Sequence, residues 1–264
     1  MSDCDCREKD TRDAECPLRK APEKPSSALS EEPSAATPAR ALVLCSGGVD
    51  STTLLARAVR DFGAENVFAL SIVYGQRHVR EMRSAEAVAR HYGVTQRVLD
   101  LGAIFADSNC SLLAHSTEQV PESSYAEQLE AAGGQPVSTY VPFRNGLFLS
   151  SAASMALSLE CSVLYYGAHH DDWAGNAYPD CSPEFVDAMA AAIAQGTGGQ
   201  LEMRAPYVMW SKADIVREGL ELGVPYELTW SCYEGGEKPC GVCGTCIDRA
   251  RAFEANGVVD PLLQ

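Results

Sequence analysis

Two stretches of this sequence carry residues whose types and spacing can do chemistry. The first is Ser46-Gly47-Gly48-Val49-Asp50-Ser51, set between the apolar run ALVLC (41–45) and a helical pattern. Adjacent glycines let backbone N–H groups turn toward one point with no Cβ in the way. A helix that starts there aims its positive dipole end at the same point. Cys45 and Val49 frame the turn. Asp50 can cap the helix or help hold a cation, and Ser46, Ser51, Thr52 and Thr53 add hydroxyl donors. The ligand that suits such a turn is a phosphate chain. It is not a Walker-type loop, because the sequence has no Gly-Lys pair, and no G-x-G-x-x-G dinucleotide fingerprint is present. A bare Ser-Gly-Gly would serve equally as a tight turn; the six-residue string is more specific.

The second stretch is SCYEGGEKPCGVCGTC, which spaces Cys232, Cys240, Cys243 and Cys246 as C-x7-C-x2-C-x2-C. A C-x2-C turn lets two thiolates meet one tetrahedral ion, and Gly241 and Gly244 permit the turns. Four ligands close the coordination shell, so the spacing predicts structural zinc, with an iron–sulfur cluster as the alternative. The chain has 11 cysteines, three of them (Cys4, Cys6, Cys16) near the start and three unpaired along the body (Cys110, Cys161, Cys181). Clustered cysteines in a reducing compartment point to metal before disulfides.

Four further stretches add candidates. VYGQRH (73–78) puts Gln76, Arg77 and His78 after a strand, at the edge where the glycine turn lies. TYVPFRNGLF (139–148) puts Arg144 and Asn145 at a helix start, where Arg can brace phosphate oxygens. GAHHDDWAGNAYPDCSPEF (167–185) holds His169, Asp171, Asp172, Tyr178 and Asp180. That density suits either a metal site or a loop that reads a purine by hydrogen bonds. Lys212 in SKADIV reads first as an ordinary helix-start lysine.

The elements that must position these residues alternate. Apolar runs predict strands at 41–45, 66–74, 97–101, 162–168 and 201–207. Helical spacing follows the glycines through Leu54, Leu55, Ala58, Val59 and Phe62. It recurs at 80–93, stopped by Gly93, and at 145–159, 183–195 and 212–223. Residues 102–141 read as an irregular insertion that can form a lid. Strands and helices of these lengths predict an α/β fold, a Rossmann-like parallel sheet covered on both faces. Residues 1–39 are rich in Pro, Ser and charge and read as a disordered tail. The ATP-binding body would then span 40–228 and the zinc segment 229–264. With a net charge of −15 and no basic stripe, stable nucleic-acid binding is not expected. No run is long and apolar enough to span a bilayer, and the chain reads as cytoplasmic.

The glycine string resembles the pyrophosphate loop of adenine-nucleotide α-hydrolases, which cleave ATP to AMP and pyrophosphate. Taken in order with VYGQRH, TYVPFRN, YPDCSPEF, SKADIV and TWSCYEGGEKPCGVCGTCIDRARAF, it resembles the 7-cyano-7-deazaguanine synthase family over about residues 41–260. The resemblance implies that 7-carboxy-7-deazaguanine and ammonia are joined with ATP and magnesium, through an acyl-adenylate and an amide, to the nitrile. It implies Cys45, Ser46, Gly47, Gly48, Val49, Asp50, Ser51, Thr52, Thr53, Gln76 and Arg144 at ATP, with Ser46, Asp50 and Arg144 in catalysis. His169, Asp171, Asp172, Tyr178 and Asp180 are the base-reading candidates, Cys232, Cys240, Cys243 and Cys246 hold zinc, and the protein is a homodimer. It departs from the family at Phe143, where many members carry Gly. Two alternatives stay open: an enzyme that stops at the amide or conjugates the deazaguanine to a protein amine, and a zinc-ribbon binding module. The flanks of the cysteines, poor in basic and aromatic residues, speak against the module.

Overall fold

Alternation in the first apolar run decides which face of the sheet each helix must cover. In β1 (Ala41–Leu44), Ala41 and Val43 point to one side and Leu42 to the other, and all three are fully buried. On the first side lie Leu54, Leu55 and Ala58 of α1 (Val49–Phe62), with Val67 and Ala69 of β2 (Val67–Val73). Ala85, Val88 and Ala89 of α2 (Arg80–Tyr92) complete that layer. On the second side Leu42 meets Leu70 and Ile72 of β2 and the helices that come later in the chain. A strand buried on both faces has no polar side to show, which is why it reads as a continuous apolar run.

The computed structural model describes residues 38–77, 79–133 and 136–263. Residues 1–37 of the expected tail, with Cys4, Cys6 and Cys16, lie outside these, as does His78. After α2 come β3 (Thr95–Asp100), α3 (Tyr125–Ala132), α4 (Arg144–Ser158), β4 (Val163–Tyr165) and α5 (His170–Trp173). The chain continues through α6 (Pro183–Gly196), β5 (Glu202–Arg204), α7 (Lys212–Glu221) and α8 (Gly244–Ala255). The five strands are parallel in the order β3-β2-β1-β4-β5. Helices α1, α2 and α7 supply one layer, and α4 and α6 the other. The order reverses between β1 and β4. In open α/β sheets that switch point, at the carboxyl ends of the strands, is where ligands bind.

The expected architecture is present, with differences in detail. β4 and β5 are three residues each, shorter than the runs that predicted them. The expected helix stop at Gly93 is there: its φ of 68° is left-handed, and its amide bonds back to the carbonyls of Ala89 and Arg90. The insertion at 102–141 contains α3, opened by a capping box in which the Ser124 and Glu127 side chains each bond the other's backbone N–H. Its Phe105, Cys110, Leu112, Leu113, Val120 and Val141 form a core cluster with Tyr74, Trp230, Cys232, Cys243 and Cys246. The insertion and the cysteine segment are therefore packed together.

The C-terminal segment is fixed by α8. Arg249, buried on that helix, makes a two-pronged pair with Asp260 at 2.6 and 2.8 Å. Its remaining donors go to the Tyr226 carbonyl and Thr229 hydroxyl. Removing one partner of such a buried pair costs about 3–5 kcal/mol, because the other charge is left unmatched.

Candidate active site

The two adjacent glycines do different work. Gly47 has φ +82°, and a Cβ there would stand 2.4 Å from the Ala85 amide nitrogen and 2.8 Å from the Glu81 carbonyl oxygen. Backbone of the loop therefore lies directly on the first turns of α2. The Gly47 carbonyl also accepts from the Trp230 amide at 2.9 Å, which ties the loop to the C-terminal segment. Gly48 has an ordinary backbone. A Cβ on it would meet nothing closer than 3.5 Å, and it lines a cavity at the carboxyl ends of β1 and β4. It is also the N-cap of α1, which has no side-chain cap. The uncapped first turn of α1 thus keeps its amides available to an anion.

Asp50 does not cap that helix. It belongs to a buried ion network instead. Its Oδ2 lies 3.4 Å from Lys212 Nζ and 3.5 Å from His169 Nε2, and His169 Nε2 lies 3.4 Å from Asp172 Oδ2. Burial would raise the Asp50 carboxyl, but the Lys212 ammonium and then His169 hold it well below the usual carboxylate range. Burial opposes a charge on His169 too, yet Asp172 and Asp50 raise its pKa above the usual value. Lys212 is 8% exposed, so its charge is directed at this network and the cavity rather than at solvent.

Across the cavity stands Arg144, the first residue of α4. Its guanidinium lies over the Tyr74 ring at 5.2 Å and the Phe148 ring at 5.8 Å. The turn that presents it is held by Asp180, whose carboxylate accepts from the Asn145 amide at 2.9 Å and side chain at 3.1 Å. Of the buried polar atoms that have no hydrogen-bond partner among the described residues, Asp50 Oδ1, Thr52 Oγ1, Arg144 Nε and His169 Nδ1 belong to the residues around this site. Orphaned buried polar atoms are costly unless something polar meets them. The same cavity is also lined by Leu70, Ile72, Phe148, Tyr166 and Tyr178, an apolar and aromatic surface of the kind that holds a planar ring.

Of the residues expected at the nucleotide, Cys45, Ser46, Gly48, Asp50, Ser51, Gln76 and Arg144 line this one cavity. Val49, Thr52 and Thr53 do not; they are buried in α1, and Thr53 bonds the Val49 carbonyl and the Tyr226 hydroxyl. Gly47 supports the loop from behind. Of the base-reading candidates, Asp172 and Tyr178 reach the cavity. His169 stands behind Asp50 and Asp172. Asp171 accepts from the Lys212 amide at 2.9 Å at the start of α7, and Asp180 holds α4, so both are positioning groups. Arg77 turns away as well, bonding the Ser111 and Glu118 carbonyls. Lys212 also lines the cavity and is more than a helix-start lysine; Tyr74, Glu81, Tyr166, Trp230 and Tyr233, which are not among the residues expected there from the sequence, line it too. The S-x-x-D capping box at Ser211 and Asp214 was the available signal for Lys212, since it fixes that residue in the first turn of α7.

Phe143 packs elsewhere. It has φ 52°, in the left-handed region, and is 58% exposed. Its ring meets Phe185 edge-on at 6.1 Å and does not line the cavity. A non-glycine residue in that region carries strain of about 1–2 kcal/mol. Phe143→Gly would relieve it and lose an aromatic contact worth about 0.5–1.5 kcal/mol. The two nearly cancel, so the variant is expected to keep wild-type KM values and to shift stability by under about 1 kcal/mol. Steady-state kinetics and denaturant titration check this; a changed KM would put Phe143 at the substrate.

The four cysteine sulfurs lie within 4.8 Å of one another. Zinc at about 2.3 Å from each of four thiolates would place them about 3.8 Å apart, so a small contraction completes the site. The Cys240 amide already points at Cys232 Sγ and the Cys243 amide at Cys240 Sγ, at 3.3 and 3.4 Å. The donor set and geometry fit a metal ion.

A five-stranded parallel sheet with a glycine turn and a buried ion network at its switch point defines an α/β protein of Rossmann-like type, and its cysteine cluster can hold a metal. The family model described as "Queuosine biosynthesis protein QueC" matches residues 40–257, and the chain belongs to that family. Relatives named 7-cyano-7-deazaguanine synthase support the assignment. That of Archaeoglobus fulgidus is 45% identical over 85% of this chain and 90% of its own length. Those of Caldicellulosiruptor saccharolyticus and Hahella chejuensis are 45% and 43% identical, over 84% and 85% of this chain and 94% and 93% of their own.

Proposed function

We propose that this protein is an ATP-dependent ligase that converts 7-carboxy-7-deazaguanine and ammonia to 7-cyano-7-deazaguanine. The observation that carries the reading is one cavity in which an uncapped helix start, the Asp50–Lys212 pair and Arg144 face an aromatic slot. A carboxylate is a poor electrophile at neutral pH. Adenylation makes its oxygen a leaving group, and the protein then has mainly to position reactants and stabilise charge.

In this reading Gly48, Ser46, Ser51 and the first turn of α1 hold the phosphates of ATP. Lys212 neutralises charge that develops on the α-phosphate. Asp50 keeps Lys212 charged and oriented, and its unpartnered Oδ1 is the atom available to a magnesium ion. Magnesium, bound with ATP, would supply further charge neutralisation on the phosphates. Arg144 orients the substrate carboxylate from the opposite wall. Tyr178 and Asp172 meet the ring edge, and Phe148 and Tyr166 its faces. Ammonia then displaces AMP to give the amide. Activation of the amide oxygen by a second ATP permits loss of water's elements and leaves the nitrile. Zinc at Cys232, Cys240, Cys243 and Cys246 would hold Trp230 and Tyr233 at the cavity wall. We infer further that the protein is a cytoplasmic homodimer, with 1–39 as a tail, 40–228 as the ATP-binding body and 229–264 as the zinc segment.

AMP and pyrophosphate release from ATP should require 7-carboxy-7-deazaguanine and should be sustained only with ammonium. AMP release that ignores the deazaguanine would reject the substrate assignment.

A further inference from the structure

All three N–H bonds of ammonia must break on the way to a nitrile. ATP chemistry activates oxygen and leaves those protons to the protein. Resting on the ligase reading above, the question becomes which group in the cavity can receive them. Three carboxylates line it: Asp50, Glu81 and Asp172. Asp50 is paired with Lys212 and His169, and Asp172 with His169, so both are poor proton acceptors. Glu81, in the first turn of α2, has no hydrogen bond or ion pair among the described residues. Its backbone carbonyl lies against Gly47, and the residue lines the same cavity as Ser46, Gly48 and Ser51 of the glycine turn.

We propose that Glu81 is the catalytic base that takes the nitrogen's protons. In the first transfer the ammonia nitrogen bonds to the acyl carbon. One N–H proton passes to Glu81, and the C–O bond breaks with AMP leaving on the electron pair. After the amide oxygen is adenylated, the two remaining N–H protons pass in turn to Glu81 and from it to water. The electron pairs released build the C–N triple bond as AMP departs again.

The surroundings suit the task. Burial raises the Glu81 carboxyl to about 7, against the opposing pull of the Arg144 guanidinium. Among the described residues the titratable groups that face it are Arg144 from α4 and Tyr74 from the end of β2, and burial raises the Tyr74 phenol and keeps it neutral. A base is most effective when its pKa lies near the working pH.

Glu81→Gln keeps the size and removes the basicity. In the full-length zinc-loaded protein, exchange of pyrophosphate into ATP, driven by 7-carboxy-7-deazaguanine without ammonium, should stay near the wild-type rate. Nitrile formation should fall at least about 100-fold. The wild-type rate should lose activity below an inflection near 7. With free ammonia held constant across the pH range, that inflection should vanish in Glu81→Gln. Glu81→Asp should keep the inflection at a lower rate. A Glu81→Gln enzyme with wild-type nitrile formation or an unchanged inflection would overturn the proposal. So would an equal loss of exchange, which would mean that Glu81 serves the phosphates. Absence of exchange in the wild type would instead defeat the ligase reading itself.

Discussion

Gly48→Val is expected to lower ATP turnover by at least about 100-fold while leaving the melting temperature close to wild type. The protein itself has room for a Cβ at this position, with the nearest atom 3.5 Å away and an ordinary backbone conformation. The added methyls would instead occupy the cavity wall where phosphates approach the uncapped start of α1. Gly47→Ala should do the opposite. Its methyl would be driven into backbone atoms of α2 at 2.4–2.9 Å, and its φ of +82° disfavours any L side chain. Destabilisation by several kcal/mol is the expected cost, with turnover lost because the loop is displaced. Calorimetry beside AMP release separates the two glycines. Normal turnover in folded Gly48→Val would remove the phosphate chain from this turn.

Cys243→Ser is expected to abolish tight metal binding and to destabilise the fold as well as the activity. Structural zinc in small domains contributes about 10 kcal/mol of apparent binding free energy at neutral pH, comparable with the whole stability of an ordinary domain, about 5–15 kcal/mol. Here Cys232 and Cys243 are buried in the cluster that also holds Trp230, Tyr74 and Leu113. The Trp230 amide bonds the Gly47 carbonyl, and Arg80 of α2 stacks over the Trp230 ring at 4.5 Å. Loosening the cysteine segment therefore frees the glycine turn. Elemental analysis should find about one zinc per wild-type chain and none in Cys243→Ser. A metal-free wild type of unchanged melting temperature would contradict the assignment, and iron with acid-labile sulfide would replace zinc by a cluster.

The glycine turn and the cysteine spacing were legible because each is a local string whose meaning survives without knowing the fold. The sheet was legible for a related reason: strands buried on both faces are apolar nearly throughout, as β1 is and as β2 is apart from Ser71. The misreadings arose where tertiary partners decide. Asp50 offered a helix cap or a cation ligand from its place in the sequence, and the cap is not made because Lys212, far along the chain, recruits the carboxylate. Asp171 and Asp180 look like ligand-readers in a polar loop, yet each is satisfied by a helix N-terminus elsewhere. α8 was hidden because its buried face contains Arg249, whose partner Asp260 is identifiable only in three dimensions. α3 could have been found, since Ser124 and Glu127 spell a capping box. Glu81 had no signal of its own, because an acidic residue in a first turn is what any helix prefers.

In the function proposed above, one cavity carries the carboxylate through two adenylations to a nitrile. The most direct measurement is mass spectrometry of the product formed from 7-carboxy-7-deazaguanine, ATP and ammonium, with AMP counted in the same reaction. The expected result is the mass of 7-cyano-7-deazaguanine with about two AMP per product, one for each oxygen activated. Accumulation of the amide with a single AMP, or further AMP released only when a partner protein supplies an amine, would contradict it.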